Sequence, residues 1–138
     1  MGTLARGMEA SAQRERPLIL VADDDEDILS LVSLQLERAG MEVLKARTGD
    51  EALALANERM PDLAVLDVMM PGLNGYEVVK RLRHEGQTGD IPLVLLTARA
   101  GGGDAQYGYQ VGADDYIKKP FSPAELRERV EALLSREQ

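Results

Sequence analysis

Five short runs of strand length recur along this 138-residue chain, and helical spacing follows each one. The runs cover residues 18–22, 41–46, 63–66, 93–96 and 115–118. The intervening helices are expected at 25–39, from a Thr48 cap to about 59, at 76–85, at about 104–111, and after a Ser122 cap. In the first helix Ile28, Leu31, Val32, Gln35 and Leu36 share helical spacing, and Gly40 suits a left-handed cap. Ala52, Leu53 and Ala56 lie inside the second helix, and Leu126, Val130, Leu133 and Leu134 form the core face of the last. Regular alternation of strand and helix predicts an α/β fold, a five-stranded parallel sheet covered on both faces. Gly101, Gly102 and Gly103 each disfavour helix by roughly 1 kcal/mol, so the fourth helix is expected to be the weakest and most mobile.

The length suits one domain and buries about two thirds of the unfolded surface, so no covalent staple is needed. No cysteine is present, which removes disulfides, thiolate metal sites and thiol nucleophiles. The net charge of −8 argues against a nucleic-acid-binding surface. No apolar stretch approaches a membrane span, and residues 1–16 lack the apolar core of a signal peptide. The expectation is a cytoplasmic domain over residues 17–136 after a flexible N-terminal extension, residues 1–16.

The ends of the predicted strands carry the chemistry. Five consecutive acids, Asp23, Asp24, Asp25, Glu26 and Asp27, follow the first strand. The third ends at Asp67, the fourth at Thr97, and Lys119 follows the fifth. All these ends lie at one edge of a parallel sheet, where open α/β sheets bind ligands. Three carboxylates there can hold Mg²⁺, which favours oxygen ligands in octahedral array. A carboxylate can also act as nucleophile toward phosphorus, with a cation and a lysine offsetting phosphoryl charge.

These stretches resemble the receiver domain of bacterial response regulators in two-component signalling. The resemblance rests on Ile19-Leu20-Val21-Ala22-Asp23-Asp24-Asp25-Glu26-Asp27, Leu66-Asp67-Val68-Met69-Met70-Pro71-Gly72, Leu96-Thr97-Ala98 and Gly112-Ala113-Asp114-Asp115-Tyr116-Ile117-Lys118-Lys119-Pro120-Phe121. It implies a doubly wound, flavodoxin-like fold of strand order 2-1-3-4-5 with five flanking helices. It implies Asp67 as phospho-acceptor from a sensor histidine kinase or phosphotransfer protein. Mg²⁺ would be held by Asp23, Asp24, Asp67 and the backbone carbonyl of Met69. Thr97 would bond the phosphoryl group, Lys119 would pair with it, and Pro120 would follow a cis bond. Thr97 and Tyr116 would be switch residues, although Tyr116 also reads as packing at the sheet edge. The face so changed would be the fourth helix, fifth strand and fifth helix.

The chain is similar in particular to OmpR/PhoB-type receivers, in which that face forms homodimers. The matching cross-dimer pairs would be Asp114 with Arg129 and Asp115 with Arg136. Glu125 matches as well, but Ala105 stands where its basic partner is expected, which implies a weaker or different dimer. Asp25 and Asp27 read as first-turn acids of the first helix. Lys118 and His84 read as surface residues, Met69 and Met70 as loop packing. Met69 and Arg99 flank the acceptor and would tune phosphoryl lifetime. The resemblance ends with the last helix, so the sequence reads as a stand-alone receiver or as part of a larger regulator. Two other classes match parts of the pattern, a receiver that is never phosphorylated and a Mg²⁺-dependent phosphatase using Asp23 and Asp25. The first usually lacks an acidic residue present here; the second leaves Asp67 unexplained.

Overall fold

A computed structural model describes residues 15–98 and 102–136, with backbone alone at 102–105 and 108. The elements are β1 (Leu18–Ala22), α1 (Glu26–Arg38), β2 (Glu42–Ala46), α2 (Gly49–Arg59), β3 (Leu63–Asp67), α3 (Gly75–His84), β4 (Leu93–Thr97), α4 (Gly102–Val111), β5 (Asp115–Lys118) and α5 (Pro123–Arg136). The strands form one parallel sheet in the order β2-β1-β3-β4-β5, as the resemblance implied. Most of the N-terminal extension, residues 1–14, and Arg99 lie outside the described residues.

Alternation along the strands builds two cores. Leu20, Ala22, Ala64, Leu66, Leu93 and Leu95 face one side, with Ala52 and Ala56 of α2 and Val78, Val79 and Leu82 of α3. Ile19, Val21, Val65, Val94, Leu96 and Ile117 face the other, with Leu29, Val32 and Leu36 of α1 and Leu126, Val130 and Leu133 of α5. β1, β3 and β4 are buried at every position, as expected for strands covered on both faces.

Local chemistry sets the helix starts. Asp25 caps α1, its carboxylate accepting from the Asp27 and Ile28 N–H groups at 2.9 and 3.3 Å. It therefore caps the helix instead of lying in the first turn as expected, and Glu26 and Asp27 occupy that turn. Thr48 and Ser122 cap α2 and α5 as predicted, accepting from Glu51 and Glu125 N–H at 3.0 Å each. Asn74 and Glu77 form a reciprocal capping box, which starts α3 at Gly75 rather than Tyr76. α4 starts at Gly102, two residues before its predicted start. Gly40 follows α1 with φ +91°, a conformation in which a Cβ would be strained.

One helix face differs from its periodic reading. Leu31 is 51% exposed, and Leu29 is fully buried instead. Both registers satisfy helical spacing, and contact with β1 and α5 selects the one containing Leu29, Val32 and Leu36.

Candidate functional site

The carboxyl ends of β1, β3, β4 and β5 meet at one edge of the sheet. Register aligns Ala22 with Leu66, Asp67 with Leu96, and Thr97 with Lys118. Asp23, Asp67 and Thr97 are all buried there. The Lys119–Pro120 peptide is cis, as expected. The Lys119 N–H donates to the Thr97 carbonyl at 2.6 Å, which anchors the lysine backbone beside β4.

Lys119 reaches into the acids. Its Nζ donates to Asp23 Oδ2 at 2.9 Å and lies 3.1 Å from Asp67 Oδ1. The other Asp23 oxygen accepts from the Asp25 N–H at 2.9 Å, tying the acidic run to the start of α1. Asp23 and Asp67 are thus buried anions that share one ammonium, the arrangement that makes their burial tolerable. Burial pushes the Asp67 carboxyl up to about 6, the negative charge of Asp23 adds to this, and Lys119 opposes it. For Lys119 burial disfavours the charge, but the Asp23 hydrogen bond and the charges of Asp67 and Asp23 outweigh it and raise its pKa.

Asp24 is exposed beside this pair. Asp23, Asp24 and Asp67 each present a carboxylate oxygen within 4.8 Å of the others, spacing that suits shared ligands of one hard cation. The donor set is all oxygen, and one face is open to solvent through Asp24, which suits an ion that keeps several waters. The residues therefore fit Mg²⁺.

The turn after β3 is held close to the acids. The Gly75 N–H donates to Val68 O at 2.9 Å, and a Cβ at position 75 would stand 2.5 Å from the Asp67 carbonyl oxygen. Only glycine lets the start of α3 pack on the Asp67 backbone so closely. Met70 is buried in this turn, as expected, but the Met69 side chain is 59% exposed and does not pack.

Residue 19 opens a match to the family model of the response regulator receiver domain that runs to residue 131. The chain belongs to this family. The receiver is a signalling switch rather than an enzyme acting on an external substrate, and its pocket here comprises Asp23, Asp24, Asp67 and Lys119. It is 48% identical over 118 residues to the alkaline phosphatase synthesis transcriptional regulatory protein PhoP of Bacillus subtilis, covering 86% of this chain and 48% of that protein. It is 45% identical over 118 residues to the phosphate regulon transcriptional regulatory protein PhoB of Pseudomonas aeruginosa, covering 86% of this chain and 52% of that one. The receiver thus spans about half the length of the curated relatives it matches. Among solved structures, the Francisella response regulator 1452 receiver domain superposes with TM-score 0.84 at 38% identity, covering 89% of this chain and 100% of that one. Among the described residues, no helix is long and apolar enough to cross a membrane.

Thr97 lies at the edge with the acids, whereas Tyr116 and the expected dimer residues lie on β5, on α5 and just before β5. Tyr116 is half-buried on β5, its N–H bonded to Asp115 Oδ1 at 2.8 Å. Arg129 donates to the same oxygen at 2.8 Å and lies 3.4 Å from Glu125. Asp114 accepts from Arg83 Nη2 and from the Leu93 N–H, both at 2.8 Å. Asp114, Asp115, Glu125 and Arg129 are therefore engaged within the chain, while Arg136 stands exposed in the last turn of α5. Lys118 and His84 are exposed, as read from sequence.

Sequence reasoning missed Arg83. Its guanidinium also donates to the carbonyls of Gly112, Gly89 and Ile91 at 2.9, 3.0 and 2.6 Å, joining α3 to the loop before β4 and to the turn between α4 and β5. An arginine in a helix reads as a solvated charge, and no local signal marks partners as far away as Gly112.

Proposed function

We propose that residues 17–136 accept a phosphoryl group on Asp67 from a sensor histidine kinase or phosphotransfer protein, in a Mg²⁺-dependent reaction in the cytoplasm. The observation that carries this reading is the Lys119 ammonium set between two buried carboxylates, 2.9 Å from Asp23 and 3.1 Å from Asp67. An Asp67 oxygen attacks phosphorus in line; the new P–O bond forms as the donor P–N bond breaks. The donor imidazole nitrogen leaves with the electron pair. Asp23, Asp24, Asp67 and the Met69 carbonyl would hold Mg²⁺, which when bound offsets phosphoryl charge. Lys119, which pairs with Asp67 at 3.1 Å, would pair with one phosphoryl oxygen. Thr97, buried at the end of β4, would bond the phosphoryl group through its hydroxyl.

The acyl phosphate brings almost two negative charges and three acceptor oxygens. Thr97 turning toward them vacates space beside Tyr116, and the α4–β5–α5 face changes in response. This face controls an output domain, a partner protein or a second receiver. Dimerisation through it would require Asp114 and Arg129 to exchange their intrachain partners, Arg83 and Asp115, for cross-dimer ones, and Glu125 has no basic residue at Ala105 to meet. A weak dimer follows. The glycine-rich start of α4 should make its amides exchange faster than those of α1.

Intact mass after incubation with acetyl phosphate tests the chemistry. A single phosphoryl gain that needs Mg²⁺ and disappears in Asp67→Asn is expected. No gain in a folded, Mg²⁺-binding wild type would replace this reading with that of a receiver that acts without phosphorylation.

A further inference from the structure

The four tyrosines of this chain stand on α3, α4 and β5, and Tyr76 lies in the first turn of α3. It follows Gly75, whose close packing on the Asp67 backbone fixes the first turn of α3. From there the Tyr76 hydroxyl lies 3.4 Å from the Tyr116 hydroxyl on β5. The Tyr76 ring meets the Tyr107 ring of α4 edge-on, with centroids 4.8 Å apart and planes at 78°. Tyr109, two residues further along α4, has its ring centroid 6.3 Å from that of Tyr116. Tyr107 and Tyr109 are both exposed, so these contacts border solvent rather than lie in the core.

We propose that Tyr76 is a positioning residue for Tyr116: its hydroxyl and ring hold the β5 tyrosine and α4 together, and set how readily that face follows the state of Asp67. The inference rests on the switch reading of Tyr116 given above. Two contacts support it, one to β5 and one to α4, from a residue whose neighbour Gly75 packs on the Asp67 backbone. The hydroxyl contact is longer than the usual separation of about 2.7–2.8 Å, so it can be exchanged without breaking a strong bond. The edge-on ring contact supplies direction, because aromatic pairs favour this geometry over face-to-face stacking. If Tyr76 were only a packing ring, its hydroxyl would be dispensable, and phenylalanine would serve as well.

The test uses the full chain with tyrosine rings labelled for NMR, as wild type, Tyr76→Phe, Tyr116→Phe and the double variant. Ring signals are recorded without a phosphoryl donor. Initial phosphorylation rates are then measured by intact mass with acetyl phosphate and Mg²⁺. Tyr76→Phe should move the Tyr116 ring signals and change the rate at least twofold, and that rate effect should vanish in the Tyr116→Phe background. Unmoved Tyr116 signals, or an equal rate effect in both backgrounds, would overturn the proposal. If wild type takes up no phosphoryl group, the function proposed above fails separately. The ring signals, read without donor, then decide the Tyr76–Tyr116 coupling alone: movement sustains it, and no movement overturns it.

Discussion

The ammonium of Lys119 lies 3.1 Å from a carboxylate oxygen of Asp67, and the same nitrogen bonds Asp23 at 2.9 Å. Removing it leaves two buried anions with no counter-charge between them. Lys119→Gln should lower stability in EDTA by about 2–4 kcal/mol, because an uncompensated buried charge costs more than its pair contributed. The same variant should bind Mg²⁺ more tightly, since the ion no longer competes with an ammonium. Urea denaturation with and without MgCl₂ measures both. An unchanged midpoint in EDTA would mean that solvent already screens the acids.

Asp67 gives the apo protein a defined pH dependence. Its carboxyl titrates at about 6 in the fold against the ordinary value of 3.8, chiefly because it is buried. Between these values the folded state holds more proton than the unfolded one. Stability therefore falls as pH rises from about 4 through about 6, and the penalty is complete above that window. Asp67→Asn removes it. The variant should exceed wild type by roughly 1–3 kcal/mol at pH 7.5 in EDTA, and the difference should close below pH 4. Denaturation across pH checks this; a difference that grows toward acid pH would reverse the sign.

The Arg83 guanidinium joins three carbonyls and Asp114 across two loops. Lysine carries the charge but cannot present donors in that planar fork. Arg83→Lys should cost about 2–3 kcal/mol while leaving Mg²⁺ affinity within twofold of wild type. Thermal unfolding and Mg²⁺ titration separate the two effects. A large loss of Mg²⁺ affinity would show that the α4–β5 turn supports the acids directly.

Ser33 is a buried residue of α1 whose hydroxyl has no hydrogen-bond partner among the described residues. An unsatisfied buried hydroxyl is a cost, and alanine is the better helix former. Ser33→Ala should therefore stabilise the receiver by about 1 kcal/mol, seen as a higher urea midpoint at unchanged slope. A lower midpoint would mean that the small cavity left by the oxygen costs more than the hydroxyl did.

The strand ends were legible because each is marked locally: an apolar run stops at Asp23, Asp67 or Thr97, and parallel topology brings such ends together. Thr48 and Ser122 were legible as caps for the same reason, since a cap acts on its own next turn. Leu31 was misread because helical spacing allows two adjacent faces, and only packing against the sheet chooses between them. Met69 was misread because an apolar residue in a turn has no periodicity to place it.

By itself, then, the sequence determined the alternation of strand and helix, the edge at which the polar residues gather, and the family to which they belong. These follow from patterns a few residues long. Tertiary structure alone decided that Lys119 reaches both Asp23 and Asp67, that Asp115 takes Arg129 from its own chain, and that Tyr76 meets Tyr116. Asp23 and Lys119 are 96 positions apart, and Tyr76 and Tyr116 are 40 apart. Such pairings depend on where long side chains end once the sheet is closed, which no local pattern encodes.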